Sequence, residues 1–207
     1  MSLAEEMQKE QFTYSDYKKL PESERWELIE GEAYDMSPAP GITHQRVSRD
    51  ISTMICNYLE GKKCEAFVAP FDVFLPKEND SEDQINTILQ PDISIVCDEK
   101  NLSEKGCTGA PDVILEIISP SSASRDQIIK RNIYEKHGVT EYWIVHPIDR
   151  IVWKYILING FYGKPEIFDY KGKPSFQLFP ELEIDLYKVF DVKESDYVEQ
   201  PSPGYRI

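Results

Sequence analysis

The 207-residue chain has no apolar run approaching the roughly 18 residues that span a bilayer, so no membrane association is expected. Its charged opening, Met1 to Gln11, has none of the apolar stretch of a secretory signal, which makes a cytoplasmic protein the expectation. Only 10 Gly and 14 Pro occur, without blocks, which excludes collagen-like and low-complexity chains. The four cysteines form no C-x-x-C or C-x-x-H pair, so a zinc site is not expected and four reduced thiols are. No G-x-G-x-x-G, P-loop or G-x-S-x-G motif appears, which removes support for nucleotide-loop and serine-hydrolase chemistry. Basic charge is scarce as well: 23 Lys and Arg stand against 37 Asp and Glu, a net of −14. The field of the whole molecule therefore repels nucleic acid and anionic lipid, and only a local site could bind either. The two helices expected at 43–63 and 121–136 are locally basic, each with four bases and two acids.

What is present reads as one domain over 12–192, between a disordered lead-in, 1–11, and a polar tail, 193–207. A short helix capped by Ser15 should precede a hairpin, Trp26 to Met36, turning near Gly31. Val47, Ile51, Met54, Ile55, Tyr58 and Leu59 recur at helical spacing and define the long helix. Strands are expected at 64–69, 71–75, 92–97, 112–118, 140–146 and 151–158, then aromatic-rich hairpins to 192. Ser124-Arg125-Asp126-Gln127 resembles a capping box opening a helix that ends at Gly138, with Ile129 and Ile133 on its buried face. The class is α/β or α+β: a mixed central sheet flanked by helices, with extra C-terminal β-hairpins.

Two carboxylates stand out by position. Glu116 lies inside the most apolar strand, where a carboxylate is costly unless a cation or hydrogen-bond donors meet it. Asp92 follows Pro91 at the mouth of another strand. Each is readable as a structural acid or as half of a site, and sequence position alone leaves both readings open.

Pro91-Asp92 and, 24 residues on, Glu116-Ile117-Ile118 resemble the bipartite signature of the PD-(D/E)XK, restriction-endonuclease-like superfamily. The run Trp26-Glu27-Leu28-Ile29-Glu30-Gly31-Glu32, His44 opening the long helix, and Gly138-Val139-Thr140-Glu141-Tyr142-Trp143 narrow the likeness. Together they resemble the Uma-two family of restriction-type endonucleases over residues 12–192. The resemblance implies a Mg²⁺-dependent DNA endonuclease, with Mn²⁺ as a substitute ion. Asp92 and Glu116 would ligate the metal with the Ile117 carbonyl, and Glu30 and His44 would line the same cleft. The superfamily's lysine two residues after the Glu is Ile118 here, and Lys130 on the following helix looks like its replacement. Lys130 is accordingly expected to point into the carboxylates, its removal abolishing cleavage while stability persists.

Hard oxygen donors suit Mg²⁺, which lowers the pKa of a water and neutralises charge on a phosphodiester. Two readings from other classes compete: an inactive nuclease-like binding module, and an interaction protein forming a homodimer. The homodimer surface is expected among Trp153, Tyr155, Phe161, Tyr162, Phe168 and Tyr170.

Overall fold

A computed structural model describes residues 11–21, 25–36, 39–119 and 124–193. The lead-in and tail lie almost wholly outside the described residues, as does the turn at 120–123. After a single turn of helix, α1 (Tyr14–Tyr17), the chain forms β1 (Trp26–Ile29) and β2 (Glu32–Asp35), paired antiparallel across Glu30-Gly31. Both turn residues have positive φ, 50° and 92°, the requirement of a tight two-residue hairpin that glycine meets without strain. The long helix, α2 (Ile42–Leu59), leads to β3 (Glu65–Val68), β4 (Val73–Phe74), β5 (Ile88–Leu89) and β6 (Ile93–Val96). Next come β7 (Leu102–Ser103), β8 (Gly106–Thr108) and β9 (Val113–Ile117). A π-helical segment, Arg125–Lys130, runs directly into α3 (Arg131–His137). The strands β10 (Glu141–His146), β11 (Ile151–Ile158), β12 (Phe161–Tyr162) and β13 (Glu166–Asp169), and a last helical turn, α4 (Leu186–Val189), complete the chain.

Among the described residues these strands make two mixed sheets. The first has the order β2-β1-β5-β4-β8-β7; the second has β12-β11-β10-β9-β6-β3, with β13 also on β11. In the second sheet β9 and β10 run parallel, whereas β6 and β9 are antiparallel. Both central strands, β9 and β10, are buried along their whole length, which fits their near-continuous apolar sequence. On one face Val47, Ile51, Ile55 and Leu59 of α2 pack against Ile93, Ile95, Leu115 and Ile117. Each such side chain contributes roughly 1.5–3 kcal/mol by leaving water. On the other face Ile133 and Tyr134 of α3 meet Ile114, Tyr142 and Ile144, and Ile29 and Leu89 of the first sheet join them.

Several expectations are corrected. Thr13, not Ser15, forms the capping box of α1, with Asp16. Ser124 has helical dihedrals and no capping hydrogen bond. Ile129 does not face the core: it is 38% exposed and Ile128 60%, while Asp126 and Lys130 are buried in their place. Tyr155 and Tyr162 belong to the core and cannot form a shared surface, although Phe161 is 71% exposed.

The expectation of four reduced thiols also fails. Glu65 pairs with Val96, so Cys64 and Cys97 sit opposite each other one step further along, and they form a disulfide. Cys56 and Cys107 remain free; burial pushes the Cys107 thiol up to about 11. A thiol titration of the denatured, unreduced protein should therefore count two reactive groups rather than four. Closing a loop of this length contributes roughly 3–4 kcal/mol, so a reductant should lower the melting temperature. A count of four before reduction would contradict the pairing.

Candidate active site

The segment Gln90-Pro91-Asp92 joins β5 of the first sheet to β6 of the second, and a cleft of about 160 Å³ opens where the two sheets part. Its floor follows from strand register. Ile93 pairs with Leu115, so Asp92 lies opposite Glu116 on the neighbouring strand. The two predicted acids, 24 residues apart in sequence, thus become cross-strand neighbours, both lining the cleft.

Glu27 of β1 forms the opposite wall and is fully buried. Its Oε1 accepts a hydrogen bond of 2.9 Å from the Gln90 backbone N–H. Lys130 reaches into this space from the π-helical segment with only 2% of its surface exposed. Its Nζ donates to Glu27 Oε1 at 2.7 Å and to Glu116 Oε1 at 2.9 Å, and lies 3.6 Å from Asp126 Oδ1. The Tyr134 hydroxyl donates to Glu116 Oε1 at 2.8 Å. Asp92 is held separately: its Oδ2 accepts from the Ile117 N–H at 2.7 Å and lies 3.2 Å from His44 Nε2.

Electrostatics match this crowding. Burial pushes the Glu116 carboxyl well above the ordinary carboxylate range; Lys130 opposes that rise, and Asp126, Asp92 and Glu27 reinforce it. For Lys130, burial would lower the ammonium, but Glu116, Glu27 and Asp126 outweigh it and hold the pKa raised. His44 behaves likewise: burial disfavours its charge, but the Asp92 carboxylate and the Ile117 carbonyl raise its pKa. Three carboxylates, Glu27, Glu116 and Asp126, face one lysine, so buried negative charge is in excess and the cluster is weak evidence of a purely stabilising role.

Of the residues expected at a site, Asp92, Glu116, Ile117, His44 and Lys130 all line this cleft. Glu30 does not. It occupies the exposed hairpin turn and pairs with Lys136 at 3.0 Å. Strand alternation explains the substitution of one acid for another, since Glu27 faces inward on β1 and the turn carries Glu30 away. Glu27, Asp126 and Gln90 were not anticipated. The signal for Glu27 was available, a lone acid in the strand Trp26-Glu27-Leu28-Ile29, as was the i, i+4 spacing of Asp126 and Lys130. Gln90 is legible only in three dimensions. Its side-chain oxygen accepts from Arg25 at 2.9 and 3.0 Å, and its amide donates to Asp72 at 2.8 Å, which fixes the backbone N–H that holds Glu27.

The chemistry of the donor set suits a hard divalent cation. No three His, Cys, Asp or Glu side chains form a ready-made cage among the described residues. Two carboxylates and a carbonyl are nevertheless compatible with Mg²⁺, which keeps several waters and needs few protein ligands. Glu27 Oε2, buried and accepting no hydrogen bond, adds an unused oxygen to the cleft wall, with the Arg125 guanidinium 4.0 Å away.

The two mixed sheets with flanking helices make a restriction-endonuclease-like fold, and the lysine-carboxylate cleft lies between the sheets. A crystal structure described as a putative nuclease belonging to DUF820, from Anabaena variabilis, shares this fold at a TM-score of 0.70 and 22% identity. The match covers 87% of this chain and 98% of that one. The sequence model of the Uma2 family, described as putative restriction endonuclease, matches residues 14–187, and the chain belongs to that family. An uncharacterized protein of Synechocystis sp., slr1290, is 24% identical over 124 residues, 59% of this chain and 60% of that protein. The chain thus spans about 60% of the length of this relative. Among the described residues no helix is long and apolar enough to cross a membrane.

Proposed function

We propose that the protein is a Mg²⁺-dependent endonuclease that hydrolyses phosphodiester bonds of DNA at this cleft. The observation that carries the reading is Lys130: a buried ammonium held by Glu27 and Glu116 beside the Asp92 carboxylate. Asp92, Glu116 and the Ile117 carbonyl would hold the ion. When bound, Mg²⁺ supplies charge neutralisation at the phosphate and a water of lowered pKa. Lys130 fixes the Glu116 carboxylate and adds positive charge where the phosphoryl oxygens crowd. His44, through its contact with Asp92, sets the orientation of that carboxylate. Arg25 and Arg125, at the cleft wall, offer a phosphate the local attraction that the acidic molecule as a whole lacks. Cutting both strands of a duplex calls for two such sites, so the homodimer belongs to this reading, with exposed Phe161 still available to its surface.

The test is cleavage of supercoiled plasmid DNA with Mg²⁺ or Mn²⁺, with and without chelator. Nicked or linear product that forms only with metal is the expected result. Intact plasmid under every condition, in a preparation that binds Mn²⁺, would transfer the reading to an inactive binding module.

A further inference from the structure

A second, largely apolar pocket of about 410 Å³ adjoins the cleft, and Ser119 lines both. Strand register fixes the distance between them. Glu116 pairs with Ile144 and Ile144 with Trp153, so Trp153 lies two strands from the catalytic acid, roughly 10 Å at ordinary interstrand spacing. Ile118, Ile148, Ile151 and Trp153 give the pocket its apolar wall. His146 also lines it and is 95% buried, with its surface 5% exposed. Its ring lies 4.7 Å from that of Trp153. Neither His146 Nε2 nor Trp153 Nε1 has a hydrogen-bond partner among the described residues, although both atoms are buried. An unpartnered pair of ring nitrogens in an apolar wall is costly unless something polar and planar arrives to meet it. Beyond Pro147, shared by the two, a third pocket of about 280 Å³ carries Arg46, Arg150 and Lys193 with one acid, Asp191.

We propose that the second pocket takes one unpaired nucleobase of the strand whose phosphodiester occupies the cleft, with the basic third pocket receiving a flanking phosphate. The proposal rests on the nuclease reading and narrows its substrate to single-stranded or locally opened nucleic acid. The pocket is large enough for a base, and Trp153 supplies an aromatic face of the kind on which bases stack with little regard to sequence. The Trp153 N–H is a donor, and the neutral His146 ring offers an N–H or a lone pair at Nε2, so a base whose edge presses into the wall and uncovers these buried atoms finds partners there. Burial favours that neutral form by lowering the His146 pKa, against the pull of Asp149. A base whose edge is engaged in this way cannot at the same time be paired in a duplex. The spacing also fits: the pocket lies about one nucleotide step from the acids, and the cationic pocket continues the same path toward the start of α2.

The test uses a fluorescent 12-nucleotide DNA, single-stranded or annealed to its complement, with the full chain in chelator so that no cleavage intervenes. Wild-type protein should bind the single strand at least tenfold more tightly than the duplex. Trp153→Phe, which keeps an aromatic ring but loses the N–H, and His146→Leu should each weaken single-strand binding several-fold, and together about tenfold. His146→Gln, which retains hydrogen bonding, should stay near wild type. Circular dichroism melts identify any variant that fails to fold, and tryptophan fluorescence quenched by the unlabelled strand in the unaltered protein but not in Trp153→Phe gives a second readout. Equal affinity for duplex and single strand, or wild-type binding by the double variant, overturns the base pocket even if plasmid is cleaved. Single-strand preference that the variants lose, in a protein that never cleaves, supports the pocket and overturns the nuclease reading instead.

Discussion

Replacing Lys130 with Met is expected to cost about 3–5 kcal/mol of stability, the usual consequence of leaving buried carboxylates without their cation. The substitution preserves length and apolar stem, so the loss isolates the charge. Glu27 and Glu116 lose hydrogen bonds of 2.7 and 2.9 Å, and Asp126 loses its ion pair. For a chain of this size the melting temperature should fall by roughly 10 °C. The burial of Lys130 among three acids thus predicts a loss of stability where the sequence reading expects stability to persist.

The pH dependence separates this origin from simple loss of packing. Glu116 has a folded pKa above its unfolded value near 4.3. The stability it contributes is present below that unfolded value and is lost as pH rises through the folded one. Lys130 opposes the rise, so its removal lifts the Glu116 pKa further and deepens the loss at neutral pH. Urea unfolding at pH 7.5 should then show the full deficit of Lys130→Met, and at pH 4.5 a markedly smaller one, because the acids take up protons instead. An equal deficit at both pH values would mean that the lysine acts through packing alone.

The contrast between Glu116 and Lys130 shows what sequence can and cannot reveal here. Glu116 was legible because strand residues alternate and one acid interrupts an otherwise apolar strand, Val113-Ile114-Leu115-Glu116-Ile117. The direction of Lys130 was legible for a weaker reason, a missing cation at Ile118, but its surroundings were not. The buried positions of that helix, 126, 130, 133 and 134, follow helical spacing, yet two of the four are charged while Ile128 and Ile129 face outward. A hydrophobic pattern read there selects the wrong face, since the site inverts the rule that places apolar groups inside. Register-dependent features were beyond reach for another reason. The Cys64–Cys97 pair exists only once β6 has chosen its partner, whereas the meeting of Asp92 with Glu116 was expected through the family resemblance. The hairpin shows the finer limit. Its turn at Gly31 was legible, but which of Glu27 and Glu30 points inward depends on where the strand ends and the turn begins.

Glu116→Gln should abolish cleavage without harming the fold. If Glu116 ligates the metal as proposed, its loss forfeits several kcal/mol of charge stabilisation in the transition state, so plasmid cleavage should drop by roughly a thousandfold or more. Structurally the amide is well accommodated. Its oxygen can still accept from Tyr134 and Lys130, and Lys130 keeps Glu27 at 2.7 Å and Asp126 at 3.6 Å. Three carboxylates around one lysine become two, so the burial cost of the Glu116 charge, and the like-charge repulsion that adds to it, disappear. Stability at neutral pH should therefore be unchanged or about 1 kcal/mol higher, the signature of a residue kept for function at some cost to the fold. The variant should also lose part of the parent's pH slope, since the parent is destabilised as pH rises through the folded Glu116 pKa and the amide does not titrate. Calorimetric titration with Mn²⁺ completes the set, and affinity should fall with activity. A Glu116→Gln protein that unfolds would make this acid a structural partner of Lys130, and one that still cleaves at the parental rate would remove Glu116 from the metal site.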